Sequence, residues 1–199
     1  MLKMTAITIR TGTGDTIPSN LGIAPYEILI GDNTIDNTEK TALFIRGLRN
    51  TGNGSFIRRN IFTNIGKPDL PNINALQLNW VTGLTVEDNL VDTVKTSQTD
   101  GCGIILYYAC KNNSYLSTGV VVRRNTVKNC NALGTGKGIS AWKAQNSLIY
   151  SNLIINCSKG IKIANPESKG TICYNNTIID CDDGIFIFKQ DSGDETALY

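Results

Sequence analysis

Residues 123–130 read RRNTVKNC, residues 58–65 read RRNIFTNI and residues 150–157 read YSNLIINC. In each, an asparagine is followed two places on by an apolar residue and five places on by another apolar residue or a cysteine. The pattern recurs along the whole chain. Setting Asn33, Asn60, Asn89, Asn125, Asn152 and Asn176 in register aligns Ile35, Phe62, Val91, Val127, Ile154 and Ile178 two places later. Five places later stand Thr38, Ile65, Val94, Cys130, Cys157 and Cys181, and three places earlier Ile30, Ile57, Val86, Val122, Ile149 and Cys173. Each unit then carries a second apolar segment: ALFI 42–45, ALQL 75–78, GIIL 103–106, GISA 138–141, GIKI 160–163 and GIFI 184–187. A fixed register repeated six times marks stacked structural units.

Within a unit the apolar period is two, and Ile and Val dominate, which is the pattern of short strands. Three strands per unit, joined by bends and stacked about 4.8 Å apart, make a β-solenoid whose coils bury apolar faces against their neighbours. The asparagine then sits at a bend, where it tolerates the left-handed conformation of a sharp turn. Repeated on every coil, the amides can bond to one another in a ladder. A second polar column, Asn37, Asn64, Thr93, Asn129, Asn156 and Asp180, follows four residues later.

The GI.I segment followed by I..N.I..N resembles the right-handed parallel β-helix repeat of pectate-lyase-like and periplasmic copper-protein-like proteins, over roughly residues 5–188. A leucine-rich repeat also places Asn after alternating apolar residues, but it prefers Leu and follows the Asn with a helical or irregular segment. The expected fold is therefore all-β: a right-handed, single-stranded parallel β-helix of about six complete coils with partial coils at the ends. The coils run roughly 5–27, 28–54, 55–83, 84–119, 120–146, 147–170 and 171–189, with a polar tail at 190–199. The unfinished ends suggest a piece of a longer solenoid, or ends capped by a neighbouring chain or within a homotrimer.

Composition narrows the partners. The 199 residues carry 19 Lys and Arg against 17 Asp and Glu, so the basic excess of a nucleic-acid groove is missing. No apolar run approaches the ~20 residues of a membrane span, and MLKMTAITIR lacks the apolar stretch of a signal peptide. The absence of histidine removes His-dependent triads and His metal sites. Four of the six cysteines occupy small, buried apolar positions, Cys130, Cys157 and Cys181 in one column and Cys173 in the inward column of Ile149 and Val122, so free thiols are expected. Cys102 and Cys110 flank a strand about 20 Å long, beyond disulfide reach. Arg58, Glu87 and Arg123 share one outward column, and Arg59, Asp88 and Arg124 the next, which reads as charge pairing between coils.

Function is sought where the repeat is interrupted. Long bends at 66–74, 95–102 and 131–137, and long connections at 46–54 and 107–119, would wall both sides of the sheet built from the GI.I strands. One outward column of that sheet reads Phe44, Gln77, Ile105, Ser140, Lys162 and Phe186, and the next Arg46, Asn79, Tyr107, Trp142, Ala164 and Phe188. An aromatic pair beside a cation suits an acidic sugar, because ring faces stack on C–H groups and Lys pairs with a carboxylate. Trp142, Tyr107, Tyr108, Lys162, Gln77 and Arg46 are the expected substrate-binding residues. The resemblance implies hydrolases with clustered aspartates or lyases with a Lys, Arg or Tyr base, often with calcium. Glycoside hydrolysis needs a carboxylate pair, and the groove offers only Asp69 and Asp100, on loops; Asp182 and Asp183 fill a short bend. For a lyase, Lys162 and Lys143 are candidate bases and Tyr107 an acid, with Asp100 nearby. No calcium cage is evident, so calcium rests on the resemblance alone. The expectation is an extracellular, cell-surface or virion protein that binds an acidic polysaccharide, with lyase activity as its catalytic form. The alternative is a non-catalytic shaft or adhesin, such as a tailspike or surface-filament segment.

Overall fold

The computed structural model describes residues 7–10, 27–48, 54–96, 101–107, 117–130, 134–164, 168–188 and 197–198. Three stacks of parallel strands run its length. Sheet 1 contains Ile7–Arg10, Leu43–Arg46, Asn74–Asn79, Cys102–Tyr107, Lys137–Trp142, Lys159–Ala164 and Asp183–Phe188. Sheet 2 runs from Leu29–Gly31 through Ser55–Arg58, Leu84–Glu87, Val121–Arg123, Leu148–Tyr150 and Ile172–Tyr174 to Ala197–Leu198. Sheet 3 contains Thr34–Asp36, Ile61–Gly66, Leu90–Lys95, Thr126–Lys128, Leu153–Ile155 and Thr177–Ile179. Each coil passes from sheet 2 to sheet 3 to sheet 1, giving six complete coils. Ile7–Arg10 adds a strand on one side, and Ala197–Leu198, within the expected polar tail, adds one on the other. Among the described residues no helix is long and apolar enough to cross a membrane.

The inward columns form one core. Phe62, Ile57, Ile104, Val122, Ile139 and Ile154 have no accessible surface. Cys130, Cys157 and Cys173 take core positions at 1% exposure, and the five described cysteines are all free thiols, Cys181 half-buried and the other four buried; Cys110 lies outside the described residues. Each thiol of the bend column, Cys130, Cys157 and Cys181, donates to the carbonyl two residues before it at 3.6, 3.5 and 3.4 Å. The glycine that opens the GI.I segment has a packing reason. A Cβ on Gly138 would lie 2.5 Å from Ile154 Cγ2 and 2.7 Å from the Gly160 carbonyl oxygen.

The asparagine column is a continuous ladder. From Asn33 to Asn152, each backbone N–H and each Nδ2 donates to the Oδ1 of the asparagine on the next coil, at 2.9–3.1 Å. The amides also close the bends. Asn125 Nδ2 donates to the Val86 carbonyl of the preceding coil and to the Arg123 carbonyl of its own, both at 3.0 Å. The expected left-handed conformation does not fall on these asparagines. It falls one residue earlier, on Asp32, Arg59, Asp88, Arg124, Ser151 and Asn175, all with φ between 52° and 60°. The asparagine is free to aim its amide along the stack because the preceding residue makes the turn. The second polar column, from Asn37 to Asp180, is itself left-handed on every coil.

The charge columns pair across coils. Arg123 and Arg124 both bind Glu87 at 2.8 Å, and Arg124 also binds Asp88 at 2.8 Å. Arg59 turns instead to Asp32 at 2.7 Å, so the Arg59–Asp88 step of the expected alternation is replaced by a pair one coil lower.

Candidate ligand-binding cleft

The outward columns of sheet 1 hold the residues that the alternation predicts. Gln77 is the strand partner of both Phe44 and Ile105, and Ser140 is the partner of Ile105 and Lys162. Ile105 and Ser140 are nevertheless buried, at 7% and 1% exposure. They floor a cleft of about 280 Å³ rather than an open platform.

Tyr107 and Trp142 line this cleft from adjacent coils, with ring centroids 6.4 Å apart and planes tilted by 47°. Both are half-buried. On the far side Asn72, Asn74 and Gln77 present amides. Asn74 Nδ2 donates to Gln77 Oε1 at 3.0 Å, Gln77 Nε2 donates to Asn79 Oδ1 at 3.2 Å, and the Cys102 N–H donates to Asn74 Oδ1 at 3.0 Å. This chain of bonds fixes the amides, so the wall is organised before any ligand arrives.

Four lining residues, Asn72, Asn74, Cys102 and Lys137, were not in the outward columns read from the alternation. Cys102 and Lys137 are strand partners and lie in one column with Asn74 and Lys159. The glycine explains the oversight. At Gly103 and Gly138 the chain bends so that the glycine faces the core, next to Cys130 and Cys157, and so does the isoleucine after it. Strict alternation fails at that point, and the residue before the glycine faces outward. The resulting Lys137 is buried at 3% exposure against the cleft, the cation of the lining.

The other expected site residues divide. Lys162 stands over the Trp142 ring, Nζ 4.8 Å from its centroid, and so supports the cleft from the next coil. Arg46 stacks on Trp80 at 4.3 Å and does not line the cleft. Lys143 is set apart from it: the residue is buried, with φ of 57°, at the bend that ends the Lys137–Trp142 strand. Asp100 and Tyr108 lie outside the described residues, as do residues 49–53, 97–100, 108–116 and 131–133 of the long connections. Asp69 is exposed and does not line the cleft, and Asp183 pairs with Lys159 on the outer two coils.

The described lining contains Asn, Gln, Ser, Tyr, Lys and Cys but no carboxylate. Among the described residues no group of three or more His, Cys, Asp or Glu could hold a metal ion. Calcium takes oxygen ligands that include carboxylates, so this lining does not fit it. What the cleft can do is stack a sugar face against the tilted Tyr107 and Trp142 rings, bond hydroxyls to a fixed row of amides, and bring an anion near the Lys137 ammonium.

Residues 111–196 match a family model described as a right handed beta helix region. No curated protein and no solved structure matches the chain. The three parallel stacks carry the pattern of the matched segment through the coils before it, and the chain is a right-handed parallel β-helix.

Proposed function

We propose that this β-helix binds an acidic extracellular polysaccharide in the sheet 1 cleft. The observation that carries the reading is the tilted Tyr107–Trp142 pair beside buried Lys137 and the amides of Asn74 and Gln77. Aromatic faces suit the C–H faces of a pyranose, and an ammonium suits a uronate carboxylate. The cleft, about 280 Å³, falls just below the usual range for ligand pockets, about 300 Å³ and upward, which suits a short segment of a polymer. An extracellular, cell-surface or virion location goes with such a ligand.

Lyase chemistry is the catalytic form of this reading. Lys137 neutralises the carboxylate, Lys162 in its neutral amine form accepts the proton beside it, and the Tyr107 hydroxyl protonates the departing glycosidic oxygen as a carbon–carbon double bond forms. The described lining lacks the carboxylate pair of a glycoside hydrolase. The test is incubation with a panel of acidic and neutral polysaccharides, following both retardation in affinity gels and the absorbance of unsaturated uronides. Retardation by acidic polymers supports binding, and new absorbance supports the lyase; neither, with every polymer, contradicts the proposal.

A second reading, a non-catalytic shaft or adhesin, is favoured by outward apolar side chains on sheets 2 and 3. Leu29, Ile61, Tyr174 and Ile179 are 61%, 40%, 38% and 44% exposed. Lateral packing of three copies would cover them, and a trimer mass in solution would support this reading.

A further inference from the structure

We infer that the cleft is one part of a longer track, and that a second subsite built on Phe44, Pro71 and Lys40 takes a further stretch of the same polymer. The inference rests on the glycan-binding reading of the first cleft. A second depression of about 300 Å³ lies over the first two coils, lined by these three residues with Thr41, Leu70 and Ile73. Asn72 lines both depressions. Phe44 is the strand partner of Gln77, which lines the first. The two are therefore neighbours along the same outward column, with no strand between them.

The wall they share is held firmly in place. The loop that follows the Ile61–Gly66 strand is tied to the next coil by the Thr96 hydroxyl, which donates to the Leu70 carbonyl at 2.7 Å. Lys67 pairs with Glu39 on the coil before at 2.7 Å. Asn74 N–H donates to Thr41 Oγ1 at 3.3 Å. Asn72 takes a left-handed φ of 55° between these ties, which places it at the crest between the two depressions.

The chemistry of the second subsite repeats that of the first on a smaller scale. Phe44 offers a half-buried ring, Pro71 an exposed one, and Lys40 an exposed cation. From Phe44 to the Trp142 coil the track crosses three coil steps, about 14 Å, or roughly three pyranose units. The preferred ligand is an oligomer running along the solenoid axis, not a single sugar.

Titration of the full chain with size-defined oligogalacturonates and oligomannuronates (dimer, tetramer and hexamer) tests this. Affinity should rise by about tenfold or more from dimer to hexamer. Phe44→Ala should remove that gain and leave the dimer within about twofold of the parent. Lys40→Ala, at an exposed position, should reduce the hexamer gain and make it less salt-sensitive. Equal affinity for dimer and hexamer, or variants that weaken the dimer as much as the hexamer, would overturn the second subsite while leaving the first. Binding of no oligomer by the parent would overturn both.

Discussion

Asn152 accepts from the backbone N–H and Nδ2 of Asn125 at 3.1 and 3.0 Å, and donates to Asn176 Oδ1 from its own at 3.0 and 2.9 Å. Its Nδ2 also reaches the Val122 carbonyl at 3.0 Å. Leu at this position leaves partners on both neighbouring coils unsatisfied at 2% exposure. Asn152→Leu should therefore cost about 1–3 kcal/mol, read as a lower melting midpoint; an unchanged midpoint would remove the ladder from the account. The six ladder positions were legible in the sequence because one residue type recurs in one register. The left-handed residue was not. Arg59 and Arg124 occupy it on two coils, and arginine carries no signal for that conformation. Only the backbone geometry reveals that the turn precedes the amide.

At the scale of strands and bends, the charges of sheet 2 and its bend give the stack a pH dependence. The hydrogen bond from Arg124 holds the Asp88 carboxyl below its ordinary value of 3.8, and that from Arg59 does the same for Asp32. A carboxyl depressed in the fold contributes stability that is fully present above the ordinary value and lost as pH falls through the depressed one. Asp88 is 39% exposed, so its share is small. Melting temperature should fall more gently below the aspartate range in Asp88→Asn than in the parent; parallel curves would show that the pair contributes nothing. Buried thiols sit both in the bend between sheets 3 and 1 (Cys130) and in sheet 2 (Cys173). Contact with Cys157 and then burial push the Cys130 thiol well above its usual value, and burial pushes Cys173 up to about 12. Both should resist iodoacetamide in the native protein and react fully in denaturant without reduction. A denatured mass short by pairs of adducts would reveal disulfides instead. The strand alternation that exposed the Phe44 and Arg46 columns missed Lys137 and Cys102 because glycine lets two consecutive residues face the core. A glycine directly before an inward isoleucine is the signal that could have found them.

The whole molecule is six coils around one core, and its architecture follows from the register of the asparagines and the period-two strands. The site follows less directly. Sequence placed Tyr107, Trp142 and Lys162 on one face, and the structure brings the three together. That the face is concave depends on the depth of Ile105 and Ser140 beneath Asn72, Tyr107 and Trp142, and no local pattern encodes such depth. The central claim is that this concavity holds a sugar ring against Trp142. The most direct measurement is calorimetric titration of the parent and of Trp142→Ala with an oligouronate hexamer, at low and high salt, alongside their melting temperatures. The account predicts binding by the parent that salt weakens, a loss of more than about tenfold in Trp142→Ala, and nearly equal melting temperatures. Unaltered binding in Trp142→Ala, with a melting temperature lowered as for a core aromatic, about 3–5 kcal/mol, would contradict it.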